Sequence, residues 1–148
     1  MTRFTMRRGR ALSAIVGVVA LAGLTFGVTQ AFAGQGHKTA PIRNHRDECS
    51  SDSKNRVVGT ATFTQKAGSI KVKVSINNGE PGDYDLLLYY WTGSTCDQVG
   101  GDVKFKVDGS GNGSATVSAD VTGYGQWFFA DAYNDTTGYD NESDWVRV

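Results

Sequence analysis

The run from Ile70 to Ile76 constrains the fold of this chain more than any other feature, because its side chains alternate strictly between aliphatic and polar. Isoleucine or valine occupies every even position, and Lys71, Lys73 and Ser75 stand between them. Successive side chains of a β-strand point to opposite faces, so the four aliphatic groups share one face. The run is therefore predicted to be a strand with one buried and one solvated face.

Similar short segments recur along residues 56–148, and no segment shows helical periodicity over three turns. The turn formers Lys66 to Gly68 join the Ile70 run to a β-branched run before it, which predicts a hairpin. The seven predicted strands are Val58–Thr64, Ile70–Ile76, Tyr84–Trp91, Val103–Val107, Ala115–Ala119, Gln126–Tyr133 and Trp145–Val148. Short strands separated by Gly, Asn and Asp turns predict an all-β, seven-stranded antiparallel Greek-key sandwich, with a small β-barrel as the alternative.

The amino terminus has the three parts of a bacterial-type export signal. A basic head is followed by an uncharged apolar run from Ala11 to Val28 and by the small residues Ala31 and Ala33. This pattern predicts a signal helix over residues 1–33 that is cleaved after Ala33, which makes the mature protein secreted and extracellular. A retained membrane anchor is the alternative, since the apolar run is just long enough to span a bilayer. After cleavage no membrane span is predicted.

Removal of the signal changes the charge of the chain. The full sequence has 15 basic and 15 acidic residues, and the signal takes four arginines, which leaves a net charge near −4. An acidic surface offers no electrostatic footprint for nucleic acid, so nucleic acid is not an expected partner. The remaining length suits one domain, and a monomer is expected. Residues 34–55 are polar and aperiodic and are predicted to be a flexible arm, followed by the sandwich domain over 56–148.

The two cysteines, Cys49 and Cys96, both lie in the mature part. In a secreted chain a single pair is predicted to form a disulfide, and neither cysteine has a cluster of further ligands that would indicate a metal site. The bond would close a loop of 48 residues. Chain entropy gives such a loop about 4 kcal/mol of stabilisation.

Two family resemblances accompany this pattern. The run from Gly59 to Lys66, the strand Ile70–Ile76 and the loop Glu80 to Tyr84 resemble the opening strands of copper/zinc superoxide dismutases. That resemblance implies a sandwich topology but not dismutase activity, because the next strand carries no copper-ligating histidine. The layout also resembles small secreted actinobacterial β-sandwich proteins of unassigned function, which carry a Gly-Asn-Gly-Ser turn like the one at Gly111 to Ser114.

No catalytic residues are predicted. The only histidines, His37 and His45, lie in the expected arm, so no base stands beside a predicted nucleophile. The acids lie mostly in turns, whereas a catalytic acid needs burial to raise its pKa. The sequence therefore favours a protein that is not an enzyme.

An acidic segment near the carboxyl terminus is a candidate calcium site. Asp131, Asp135 and Glu142 occupy positions one, five and twelve of an EF-hand loop, and Ca²⁺ is bound by such oxygens. Position six is Thr136 instead of the glycine that an EF-hand requires. A calcium site of another type on the sandwich edge and a solvated hairpin loop are the two alternatives, and no other cofactor is predicted.

Aromatic residues on two strands form the candidate ligand-binding site. If the apolar residues of each strand point into the core, then Tyr89, Trp91, Trp127 and Tyr133 lie on an outer face. Exposed aromatic residues bind sugars, flat apolar ligands or protein partners. Two structural alternatives remain: the arm covers this face through the disulfide, or the strand is reversed and Trp127 is core.

These features predict a non-enzymatic binding module for an extracellular polymer or protein. The rival hypothesis is a secreted inhibitor of a hydrolase that acts through the loop from Thr92 to Gly101, which holds Cys96. A structural protein of the cell envelope is compatible with the same residues.

Overall fold

The computed structural model describes residues 36–44, 49 and 55–148. The predicted signal over residues 1–33 and its cleavage after Ala33 lie outside the described residues. Within the described ranges there is no helix of the length and hydropathy needed to cross a membrane.

The described residues form an all-β protein, as the alternation predicted. They contain ten strands where seven were expected: β1 His37–Asn44, β2 Val57–Lys66, β3 Ser69–Ile76, β4 Gly82–Trp91, β5 Cys96–Gln98, β6 Val103–Val107, β7 Gly113–Asp120, β8 Trp127–Asn134, β9 Asn141–Ser143 and β10 Val146–Arg147. Each of the seven predicted strands overlaps one of these. The three additional strands are β1, β5 and β9, of which two are only three residues long.

All ten strands belong to one antiparallel hydrogen-bonded network. The strand order is β5-β4-β8-β9-β1-β2-β3-β7, with β10 paired to β8 and β6 paired to β4. Although β6 and β7 lie towards opposite ends of this order, they contact each other. The sheet is therefore curled so that its two ends approach, and it encloses a single core.

The hairpin of β2 and β3 was predicted correctly. Its strands pair without a break from Gly59 opposite Ile76 to Lys66 opposite Ser69. The two residues between them, Ala67 and Gly68, have φ angles of 45° and 81°. Two successive positive φ values match the right-handed twist of the flanking strands, which is why Gly68 suits the turn.

The prediction of a flexible arm over residues 34–55 needs correction at β1. Residues 37–44 form a strand that pairs with β2 along seven positions and with β9 along three. Ala40 and Ile42 bury their side chains in the core. With only these two apolar residues, separated by Pro41, the alternation was too short to be read as a strand.

The core lies on the concave side of the curled sheet. The alternating residues Ile70, Val72, Val74 and Ile76 of β3 are buried there as predicted. Of the two orientations left open for β4 and β8, the structure has the one in which the following residues enter the core: Tyr84, Leu86, Leu88, Phe128, Ala130 and Ala132. The largest side chain from β2 is Phe63, which is fully buried. Since β4 and β8 are neighbouring strands, their opposite faces together form one continuous outer surface.

Candidate functional site

The outer surface of β4 and β8 carries a cluster of stacked aromatic rings. Tyr89 and Phe129 are partners in the ladder, and their rings are parallel within 8° with centroids 5.1 Å apart. The ring of Trp145 meets Phe129 edge-on at 4.5 Å and meets Trp91 at 5.7 Å with an interplanar angle of 85°. Phe129 is only 1% exposed and contacts the rings of both Tyr89 and Trp145, so it is the buried centre of the cluster.

A cavity of about 390 Å³ opens beside this cluster, lined by Trp91, Trp127, Trp145 and Cys49. Trp91 and Trp127 are 37% and 45% exposed, which places them at the mouth. This volume falls in the range of about 300–1,000 Å³ that small-molecule sites occupy. The chain contains three tryptophans, and all three line this one cavity. We refer to it as the tryptophan pocket.

The backbone behind the tryptophan pocket is closely packed. A Cβ atom added at Gly125 would lie 2.8 Å from the carbonyl oxygen of Trp91. Only glycine therefore lets the chain pass the end of β4 before it enters β8 at Trp127. The register of β4 and β8, in which Tyr90 is opposite Phe128, brings the exposed tryptophans of these neighbouring strands to the same end of the sheet.

Two of the four predicted ligand-binding residues line the tryptophan pocket. Trp91 and Trp127 do so, whereas Tyr89 is half-buried against Phe129. The half-buried Tyr133 lies at the far end of β8, where its hydroxyl is close to the turn at Gly138. Asp131 stands between it and the aromatic cluster.

Sequence reasoning missed Trp145 as a site residue. Trp145 comes directly before the short strand β10, whose Val146 is buried in the core opposite Phe128. Alternation then places Trp145 on the outer face. That step requires knowing that β10 pairs with β8, which the local sequence does not show.

The predicted disulfide between Cys49 and Cys96 is present. Cys96 is the ladder partner of Trp91, so the bond begins at the edge of the pocket. From there it reaches Cys49, whose backbone N–H donates a hydrogen bond to Glu142 Oε1 at 3.1 Å. The disulfide thus spans the outer face from β5 to β9 and covers part of it, while the pocket beside Trp127 stays open.

Below this cover two carboxyl groups are buried side by side. Asp131 on β8 and Glu142 on β9 are ladder partners, and they are 2% and 1% exposed. Burial raises the pKa of Asp131 well above its ordinary value, and the neighbouring charges of Asp140 and Glu142 raise it further. A hydrogen bond from the backbone N–H of Asn141 opposes this shift.

The residues of the predicted calcium site are only partly brought together. Asp135 lies in the exposed turn after β8, where its carboxylate is 3.8 Å from Lys104 Nζ. In the part of the chain that the structure describes, no three acidic, histidine or cysteine side chains are grouped to hold a metal ion. Calcium binding by Asp131 and Glu142 stays a prediction, which titration calorimetry with Ca²⁺ can test.

The raised pKa of Asp131 predicts a pH-dependent stability. An acid whose pKa is higher in the folded state stabilises the fold at low pH, and its contribution is lost as the pH rises from the unfolded value of 3.8. Asp131→Asn keeps an oxygen acceptor for Asn141 and carries no charge. We expect the variant to gain stability relative to the parent protein as the pH rises from about 4 to about 8.

Urea unfolding at several pH values measures this difference. Asp135→Asn is the matched control, because it removes an exposed carboxylate of the same segment outside the buried cluster. A stability difference between Asp131→Asn and the parent that stays constant with pH would contradict the role assigned to burial.

A second cavity of about 440 Å³ lies between β4 and β6. Its lining includes two lysines and two aspartates, and Lys104 and Lys106 are within 3.8 Å and 3.5 Å of Asp135 and Asp83. Lys106 and Asp83 are ladder partners on β6 and β4, whereas Asp135 reaches Lys104 from the turn after β8. The charged residues that line this cavity are therefore paired with one another, and their positions need no ligand to explain them.

The fold and the pocket define a disulfide-linked, all-β protein with a tryptophan-lined cavity on the outer face of a curled sheet. No protein-family model matches the chain, and no curated protein matches it. The two resemblances seen in the sequence therefore stay predictions.

Proposed function

We propose that this chain is a secreted, non-enzymatic binding module that takes a group of an extracellular polymer or protein into the tryptophan pocket. The observation that carries the proposal is that all three tryptophans of the chain line one open cavity. Tryptophan has a large apolar surface, and exposing it to water without a partner is unfavourable. Apolar surface gathered in this way on a protein exterior marks a site of recognition.

The scaffold supports a binding role because the pocket rests on rigid elements. Trp91 and Trp127 lie at the ends of long paired strands, and Trp145 is held by Phe129. The disulfide fixes the remaining wall at Cys49. A site built in this way loses little conformational entropy when a ligand binds. We regard the curled sheet as the predicted sandwich, in which β4 and β8 face β2 and β3 across the core.

The proposal is tested by retention on insoluble polysaccharides, cell-wall material and immobilised extracellular proteins. Trp127→Ala is expected to lower affinity for the retained material by about tenfold or more, because buried tryptophans at binding sites contribute about 2 kcal/mol or more. Trp127 is nearly half exposed in the free protein, so this change should leave the fold intact.

Tyr139→Ala is the matched control for this experiment. Tyr139 is 48% exposed, comparable with Trp127, but it lies in the turn between β8 and β9 and outside the pocket lining. Loss of binding in Trp127→Ala and normal binding in Tyr139→Ala would support the proposal. Equal retention of the two variants on every material would contradict it.

The second candidate function, inhibition of a hydrolase, is favoured by the loop from Thr92 to Gly101. Its tip, residues 92–95, is exposed and is closed by hydrogen bonds between Thr92 and Thr95, among them a backbone bond of 2.9 Å. Cys96 anchors the loop directly behind this tip. Inhibitors present rigid exposed loops of this kind. Stoichiometric loss of activity in a panel of secreted hydrolases, unaffected by Trp127→Ala, would favour this function over the first.

A further inference from the structure

We infer that the group bound in the tryptophan pocket is a quaternary ammonium, the trimethylammonium group of a choline- or betaine-like ligand. This inference rests on the proposed binding function and names the ligand class of the same site. Three observations carry it: the angles between the indole rings, the nature of the described pocket lining and the position of Glu142 behind it.

The ring geometry favours a rounded group over a flat one. Trp91 and Trp145 are nearly perpendicular, with an interplanar angle of 85°, and so they form a corner instead of a platform. Trp127 adds a third aromatic wall on the neighbouring strand. A group with methyls pointing in all directions contacts several walls of such a corner, whereas a sugar ring stacks on a single flat surface. Aromatic walls around a cation also attract it through their ring quadrupoles.

The described lining residues offer few hydrogen-bonding groups. They are three tryptophans, whose indole N–H groups are donors only, and Cys49, whose backbone N–H already donates to Glu142. A sugar brings several hydroxyl groups, and these donors would lose water at lining side chains that offer them no acceptor. A quaternary ammonium has no N–H and no hydroxyl on the charged group. It therefore enters an apolar pocket without leaving an unsatisfied hydrogen-bonding group.

Among the described residues, an acidic side chain lies directly behind the pocket on the side of Cys49. Glu142 contacts the pocket wall by accepting a hydrogen bond from the Cys49 N–H. Arg43 joins this side and pairs with Asp144 at 3.2 Å. At the mouth, Arg147 is the ladder partner of Trp127 and donates from Nε to Gln126.

Intrinsic fluorescence tests this inference directly, because every tryptophan of the protein lines the pocket. We expect choline to produce a saturable fluorescence change. We expect 3,3-dimethylbutan-1-ol, which has the same shape without the charge, to bind about tenfold more weakly. Trp127→Leu should weaken choline binding, and Arg147→Gln should strengthen it because a like charge leaves the mouth of the pocket.

Trimethyllysine and phosphatidylcholine vesicles, tested beside choline, distinguish a protein source of the group from a lipid source.

Equal binding of choline and its neutral analogue, or tighter binding of a chitin oligosaccharide, would overturn the inference. So would the absence of any response to all three quaternary ammonium probes. If polymer or protein retention still depends on Trp127 in that case, then only the ligand class is wrong. If that retention is also absent, then the proposed function fails as well. Tyr139→Ala, which should bind choline normally, checks that the response reports the pocket.

Discussion

Replacing both cysteines, as Cys49→Ser with Cys96→Ser, is expected to lower the free energy of unfolding by about 4 kcal/mol. The disulfide closes a loop of 48 residues, and its loss returns that conformational freedom to the unfolded chain. Against a typical domain stability of about 5–15 kcal/mol, this is a large fraction. Urea unfolding of the variant and the parent measures the difference.

The same variant should also lose binding at the tryptophan pocket. Cys49 forms one wall of the pocket, and its N–H is a hydrogen-bond donor to Glu142. Without the disulfide, no cross-link to Cys96 keeps Cys49 beside the pocket. Reduced parent protein is the matched comparison and should behave like the serine variant in both stability and binding. A double variant that unfolds at the same urea concentration as the oxidised parent would contradict the role given to the disulfide.

Phe129→Ala is expected to cost about 3–5 kcal/mol, as large-to-small changes of a buried phenylalanine do. Phe129 is 1% exposed although it lies on the outer face, opposite the main core. It contacts Tyr89 and Trp145 through their rings. Its removal opens a cavity beneath the pocket, so Trp145 loses its support and ligand binding should fall together with stability.

Thermal or urea unfolding measures the loss, with Phe129→Leu as the conservative control. The leucine variant keeps most of the buried volume and should lose much less stability. Phe128→Ala, on the neighbouring residue that faces the core, gives the reference value for a fully enclosed phenylalanine. A cost below about 1 kcal/mol for Phe129→Ala would show that the outer face is not packed as a second apolar layer.

Most of the sheet could be predicted from the sequence because local alternation is a direct consequence of strand geometry. The strand Ile70–Ile76 and its buried face were inferred correctly from it, whereas the buried faces of β4 and β8, which are apolar on both sides, were left open. The strands that were missed are short or contain few apolar residues. β9 has three residues, all polar, and is buried only because it lies between β1 and β8.

The candidate site could be predicted only in part. Trp91 and Trp127 were recognised because each continues the outer face of a strongly patterned strand. Trp145 and Cys49 were not recognised as lining residues, since they reach the pocket through a two-residue strand and a disulfide. The sequence also gave no sign that Asp131 is buried, because an acid within an aromatic strand has the same pattern whether its face is covered or open.

By itself the sequence determined the all-β class, the hairpin of β2 and β3, the buried face of β3 and the pairing of the two cysteines. These features depend on neighbouring residues or on composition, and they need no knowledge of distant contacts. Only the tertiary structure decided that three tryptophans meet in one cavity and that Asp131 and Glu142 are buried beside it. Those groupings arise from pairing between strands far apart in the chain, which local periodicity does not encode.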